Sequence, residues 1–224
     1  MITLSTGNLN RLNPDEHILI SGMTGCGKTV LAEVYAAGFD NVIKIDTKQE
    51  YESRLEEGEE PWRGLTEGED YIVCRSLEEV MRTDFGRIIY VVPWDEQETE
   101  YYDKLFKFCF EQGNITVWVD EVMTVCDSPQ KIPRFLKAIL TAGRSRKCRF
   151  LGCTQRPTGI PAIIPANVTH FYTFTLNQPS DRKRMVEITG CTRLYEKPDK
   201  YYFWYFKDGM EEDDVILATL VLRD

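Results

Sequence analysis

The sequence predicts an α/β fold: a mostly parallel sheet with helices on both faces and a C-terminal β-hairpin extension. Three observations carry this. Short apolar runs alternate with stretches of helical periodicity from about residue 15 to 190. Most of these runs are apolar throughout, as strands covered on both sides must be. From about 191 to 224, two aromatic or aliphatic runs flank an Asp-Gly pair, which is hairpin chemistry. The 224 residues suit one domain, 1–224, with a well-buried core.

In order, "HILIS" (17–21) reads as a buried strand, followed by a Gly-rich turn and the helix "KTVLAEVYAAGF". "NVIKID" (41–46) is the next strand. The acidic stretch "ESRLEEGEEPWRGLTEGED" reads as a surface loop with room for a short helix. "YIVCR" (71–75) is a strand, "SLEEVMRTDF" a capped helix, and "RIIYVVP" (87–93) a strand. "ETEYYDKLFKFCFEQG" has amphipathic spacing. "ITVWVDEV" (115–122) is an apolar strand ending in two carboxylates, with Trp118 in the core. The helix "PRFLKAILTAGRSRK" leads into the strand "CRFLGCTQ" (148–155). "HFYTFTL" (170–176) is a strand that begins at a structural histidine, His170, and "QPSDRKRMVEITG" a helix. The aromatic run Tyr201–Phe206 fills the two faces of a hairpin strand, a reading preferred over base stacking.

Composition narrows the class. Hydrophobic content of 42% with 28% charged residues is ordinary for a globular protein. No apolar run approaches the roughly 20 residues that span a bilayer. The first residues lack the basic start and apolar stretch of a signal peptide, so a cytoplasmic protein is expected. Seven scattered cysteines form no CxxC pair and are distant from His17 and His170, which argues against zinc or a disulfide framework and for buried thiols. The net charge is −9, yet residues 128–180 contain no Asp or Glu and eight basic side chains. The remaining chain holds 19 basic and 36 acidic residues, a balance of −17. That asymmetry predicts one positive face on a negative body, with Lys131 and Lys137 as solvated helix-surface charges.

The pattern G-x-x-x-x-G-K-[ST] (Walker A) is met by Gly22, Met23, Thr24, Gly25, Cys26, Gly27, Lys28 and Thr29, with Val30 continuing into the helix. Glycines let successive backbone N–H groups turn toward phosphate oxygens, and the following helix adds its positive end. Lys28 then reaches the β- and γ-phosphates, and the Thr29 hydroxyl ligates Mg²⁺. The strand before and the helix after are the context this motif needs, so ATP with Mg²⁺ is the expected ligand pair. Asp120 and Glu121 (Walker B) end an apolar strand, the edge where ligands bind in parallel sheets. Asp120 is expected to hold the metal through water, and Glu121 to polarise the attacking water. Thr154 and Gln155 end another buried strand, where a polar side chain touches the γ-phosphate or the lytic water.

Taken together, "GMTGCGKT", "VIKIDTKQEYE", "VWVDEV", "TAGRSRKCRFLGCTQRP" and "TFTLNQPSDRKRMVEITG" resemble the FtsK–HerA superfamily of P-loop ATPases, which pump double-stranded DNA through ring-shaped oligomers. The resemblance spans about residues 15–190, and "GRSR…TQRP" is its most specific part. It implies a RecA-like core in which Lys28, Thr29, Asp120, Glu121 and Gln155 take the roles above. It also implies an arginine finger reaching a neighbouring subunit's ATP, with Arg144, Arg146 and Arg149 as candidates and DNA or nearby carboxylates as their other partners. By its size the chain is similar to the genome-packaging ATPases of tailless, membrane-containing double-stranded DNA viruses. The partners so implied are double-stranded DNA bound without sequence preference, further copies in a hexameric or pentameric ring, and capsid or portal-vertex membrane proteins. The host cytoplasm and a virion vertex are the implied locations. A HerA-like cellular or plasmid DNA pump, a small nucleotide or metabolite kinase, and a Zot-like assembly protein stay open as alternatives.

Overall fold

The computed structural model describes residues 3–4, 16–126 and 128–221. Most of the opening stretch that lacks signal-peptide features lies outside the described residues. The strands are β1 (Thr3–Leu4), β2 (Ile18–Ser21), β3 (Val42–Asp46), β4 (Ile72–Cys74), β5 (Arg87–Val91), β6 (Thr116–Val119), β7 (Arg149–Thr154), β8 (His170–Thr173), β9 (Tyr202–Lys207) and β10 (Ile216–Val221). The helices are α1 (Lys28–Ala37), α2 (Glu50–Glu56), α3 (Leu77–Arg82), α4 (Thr99–Gln112), α5 (Val122–Val125), α6 (Arg134–Ala142) and α7 (Pro179–Thr189).

These strands form one sheet in the order β1-β10-β9-β8-β2-β7-β6-β3-β5-β4. From β8 to β4 every pairing is parallel, whereas β9, β10 and β1 add antiparallel strands. The C-terminal extension therefore continues the main sheet. Its hairpin connection runs through Asp208 and Gly209, as the Asp-Gly pair predicts, and then through a 3₁₀ turn at Glu212–Asp214.

Alternation along the strands divides the core between the two faces of the sheet. Ile18, Ile20, Trp118 and Leu151 pack with Leu31, Ala32 and Ala36 of α1 and Tyr51 of α2. Leu19, Ile43, Val117, Val119 and Phe150 pack on the other side, against Val80 of α3, Phe106 of α4, Ile139 of α6 and Met185 of α7. Helices cover both faces, as buried parallel strands require. All seven cysteines are buried. Among the described residues no helix is long and apolar enough to cross a membrane.

The structure departs from the sequence reading in two places, the end of β6 and the basic window. The strand expected to run to Val122 stops at Val119, because Glu121 turns into an N-cap and Val122 opens α5. The short helix for which the stretch after β3 has room is present as α2, whose first free N–H groups have a partner. Asp46 accepts from Glu50 N at 2.9 Å and from Tyr51 N at 2.8 Å. The basic window does not form one positive face. Helix α6 returns from the carboxyl end of β6 to the start of β7, which puts Lys131, Arg134 and Arg156 toward one edge of the sheet. Arg144, Arg146 and Lys147 lie at the other edge, and Arg149 is buried.

Candidate active site

The strand order explains the site. Neighbouring parallel strands β2, β7, β6 and β3 all end at one edge, so the segments that follow them meet there. After β2 comes the glycine loop. Gly27 caps α1 with φ +109°, a conformation that side-chain-bearing residues rarely adopt. A Cβ at Gly27 would lie 2.6 Å from Leu220 Cδ1, and one at Gly22 would lie 2.6 Å from Phe174 Cβ. The loop is thus clamped at both ends by chain that glycine alone lets approach. Its backbone is tied by Gly22 N to the Thr154 carbonyl at 3.1 Å and Met23 N to the Thr175 carbonyl at 2.9 Å. The Lys28 ammonium lies inside the curl and donates to the Met23 carbonyl at 2.9 Å.

The loop opens on a cleft of about 290 Å³ lined by Gly25, Gly27, Lys28, Thr29, Val30, Arg54, Arg63 and Tyr201. Cys26, also in the motif, has its side chain in the core, which leaves only its backbone for a phosphate. Thr24 Oγ1 donates to Gln155 Oε1 at 3.0 Å. Thr29 Oγ1 donates to Asp120 Oδ1 at 3.5 Å. Three segments far apart in sequence are therefore in contact at one point, with Gln155 between the loop and the carboxylates because β7 lies between β2 and β6.

Asp120 and Glu121 are 4% and 7% exposed. The Glu121 carboxylate accepts from Met123 N at 3.5 Å. Burial raises the Glu121 pKa above the usual carboxylate range, although Lys48, the Met123 N–H and Lys28 pull it back. A carboxylate of raised basicity beside the phosphate loop suits a group that orients and polarises water. The Thr29 hydroxyl and the Asp120 carboxylate are hard oxygen donors in contact with each other, a pair that fits Mg²⁺.

Sequence reasoning missed Lys48. Its ammonium lies 3.3 Å from Asp120 Oδ2 and 3.8 Å from Glu50 Oε1. Burial works to lower the Lys48 pKa, but Asp120, Glu50 and Glu121 outweigh it and hold the ammonium firmly protonated. The signal was available in "IDTKQEYE". Asp46 caps α2, and that cap carries Lys48 and Glu50 to the edge where β6 delivers its acids. Glu33, on the second turn of α1, is 1% exposed and binds both Arg54 and Arg63, so it anchors the far wall of the cleft.

The three finger candidates are not at this edge. They precede or open β7, whose six residues span about 20 Å. Arg144 and Arg146 are exposed on a 3₁₀ turn. Asn114 N donates to the Arg146 carbonyl at 2.7 Å and holds that turn in place. The Arg146 guanidinium lies 4.7 Å over the Phe110 ring. Arg149 requires a correction. It is 4% exposed, donates to Thr116 Oγ1 at 2.7 Å and stacks 3.6 Å over Phe39, so packing keeps it from a neighbour's phosphate.

A strand–glycine loop–helix unit, an acid pair on the second strand over and a polar side chain on the strand between define the P-loop nucleoside-triphosphatase fold. Solved structures agree at the level of fold. The genome packaging NTPase B204 of Sulfolobus turreted icosahedral virus 2, in complex with ATP-gammaS, superposes with a TM-score of 0.71 at 15% identity, over 94% of this chain and 100% of that one. The pCW3 conjugation coupling protein TcpA with ATPgS gives 0.62 at 16%, over 98% and 65%. VirB4 of Thermoanaerobacter pseudethanolicus gives 0.63 at 11%, over 95% and 93%. These likenesses bear out the fold that the FtsK–HerA resemblance implies. No protein-family model matches the chain, and no curated protein matches it significantly.

Proposed function

We propose that this chain is an ATP-hydrolysing motor that moves double-stranded DNA, acting as a single unit (1–224) in a ring of identical subunits. The observation that carries the hydrolytic part is the contact of loop, acid pair and Gln155 at one sheet edge: Thr29 to Asp120 at 3.5 Å and Thr24 to Gln155 at 3.0 Å. In this reading the loop N–H groups and Lys28 hold the phosphates. Thr29 and Asp120 hold Mg²⁺, which when bound neutralises phosphate charge. Glu121 orients the attacking water and accepts its proton. Gln155, tied to Thr24, registers the γ-phosphate and passes its loss into β7.

The placement of the basic side chains supports the ring. Arg144 and Arg146 sit at the opposite end of β7 from their own loop, and the strand's six residues span about 20 Å, so as fingers they would serve a neighbour's cleft. The likeness to a genome packaging NTPase and a conjugation coupling protein supports DNA as the cargo. Viral genome packaging is the specific role we favour, since B204 matches over its full length.

Phosphate release, measured with Mg²⁺ and long duplex DNA, tests the reading. Stimulation that weakens with salt is expected, as phosphate-backbone contacts demand. Turnover indifferent to DNA, or transfer of phosphate to a nucleoside monophosphate as a kinase would do, refutes it. Mixing Glu121→Gln subunits with Arg144→Ala or Arg146→Ala subunits tests the shared pocket. A shared pocket restores turnover in the mixture, and turnover no higher than that of either variant alone would exclude one.

A further inference from the structure

One wall of the phosphate cleft lies outside the glycine loop. It is formed by Arg54, Arg63 and Tyr201. Arg54 is occupied: it is 11% exposed, and its guanidinium binds Glu33 and the Pro61 carbonyl. Arg63 holds Glu33 at 2.8 Å but keeps a 35% exposed side chain. Tyr201 is the unusual member. Of the aromatic run that follows it, Phe203, Trp204, Tyr205 and Phe206 are buried as strand filling, and Tyr202, 40% exposed, opens β9. Tyr201 precedes the strand, is 36% exposed, and has φ +68°.

A side-chain-bearing residue in the left-handed region is strained unless its surroundings enforce the conformation, and such residues gather at ligand sites. Here the surroundings do enforce it. Leu220 N donates to the Tyr201 carbonyl at 3.0 Å, and Thr219 Oγ1 lies 3.4 Å from the same oxygen. The side chain of Leu220 in turn packs on the phosphate loop at Gly27, and Tyr201 Cδ1 lies 3.5 Å from where a Cβ at Gly27 would be. The hairpin thus presents an exposed aromatic ring at the edge of the loop, next to Val30 in the first turn of α1. The Lys200 ammonium lies 4.8 Å from the ring centroid.

We propose that Tyr201 is the nucleobase platform of this cleft, stacking the base of a nucleoside triphosphate whose phosphates occupy the glycine loop, with Arg63 as the second planar group beside it. This rests on the reading of the cleft as a nucleotide site. Among the described residues the cleft lining holds no Asn, Gln or free carboxylate that would read a base edge, and Glu33 behind it is committed to two arginines. Stacking strength follows ring area, so purine triphosphates bind better than pyrimidine ones. The C-terminal extension then belongs to the nucleotide site.

Tyr201→Gly separates the ring from the fold, because glycine is relaxed at φ +68° and the backbone bonds to Leu220 and Thr219 remain. Affinities for ATP and for inorganic tripolyphosphate, which has no base, are measured by calorimetry for the wild type, Tyr201→Gly and Tyr201→Phe. The expected result is an ATP affinity weakened about tenfold or more in Tyr201→Gly, an unchanged tripolyphosphate affinity, and near wild-type behaviour in Tyr201→Phe. Equal ATP affinity in wild type and Tyr201→Gly overturns the platform while the nucleotide site stands. Equal weakening of both ligands also overturns it, since the effect is then on the loop. A wild type that binds neither ligand removes the nucleotide reading itself, and the platform with it.

Discussion

Acid weakens this protein through His17, and the size of the effect follows from where that side chain is. His17 precedes β2 and is 5% exposed. Its Nε2 lies 3.2 Å from the Leu140 carbonyl of α6, and its Nδ1 accepts from Phe150 N of β7 at 3.0 Å. The bond from Phe150 needs a neutral ring, because a proton on Nδ1 would face the Phe150 N–H, whereas an Nε2–H donating to Leu140 survives protonation. Burial, with Arg144 and Arg149 adding repulsion, pulls the pKa from 6.5 to about 4 against the opposing Leu140 bond. In the unfolded chain His17 takes up a proton near pH 6.5. Between that pH and about 4 the unfolded state binds more protons than the folded one, so stability is complete above pH 6.5 and falls as the pH drops. The loss reaches about 3 kcal/mol near pH 4. Urea unfolding between about pH 7 and 4.5 measures it, with His17→Gln as reference, since a glutamine amide supplies one donor and one acceptor without titrating. Other titrating groups are common to both proteins and cancel in the difference. Parallel stability curves for wild type and His17→Gln would refute the reasoning.

Other outcomes follow from single contacts. Lys48→Met removes an ammonium 3.3 Å from Asp120; about 1 kcal/mol of that attraction survives its partial exposure, so phosphate release slows about fivefold while Lys48→Arg retains most of it. Thermal melting of Lys48→Met checks that the fold is intact. Glu33→Ala leaves Arg54, 11% exposed, without its buried carboxylate and costs about 3–5 kcal/mol in urea unfolding. Arg149→Met loses the Thr116 bond and the Phe39 stack, which lowers stability by about 1–3 kcal/mol. In subunit mixtures with Glu121→Gln it supports turnover as well as wild type does; a loss there would restore Arg149 as a finger.

The sequence by itself determined the local units, because their causes are local. Apolar runs with helical segments between them specify a parallel sheet, and the spacing from Gly22 to Thr29 specifies a loop that needs only backbone freedom and one lysine. Ser76 caps α3 by accepting from Glu79 N at 3.2 Å, as the "SLEE" pattern implies. Tertiary structure decided what each unit meets. That Gln155 contacts Thr24, and Lys48 contacts Asp120, depends on the sheet order β2-β7-β6-β3, and strand order is set by long-range packing that no window of sequence encodes. Arg144 and Arg149 are equivalent as letters in one basic segment. Their fates part because alternation turns Arg149 into the packed sheet, over Phe39, while the turn before it leaves Arg144 in solvent. Tyr201 likewise reads as one aromatic among several, and only the docking of β10 on the phosphate loop places it at the cleft.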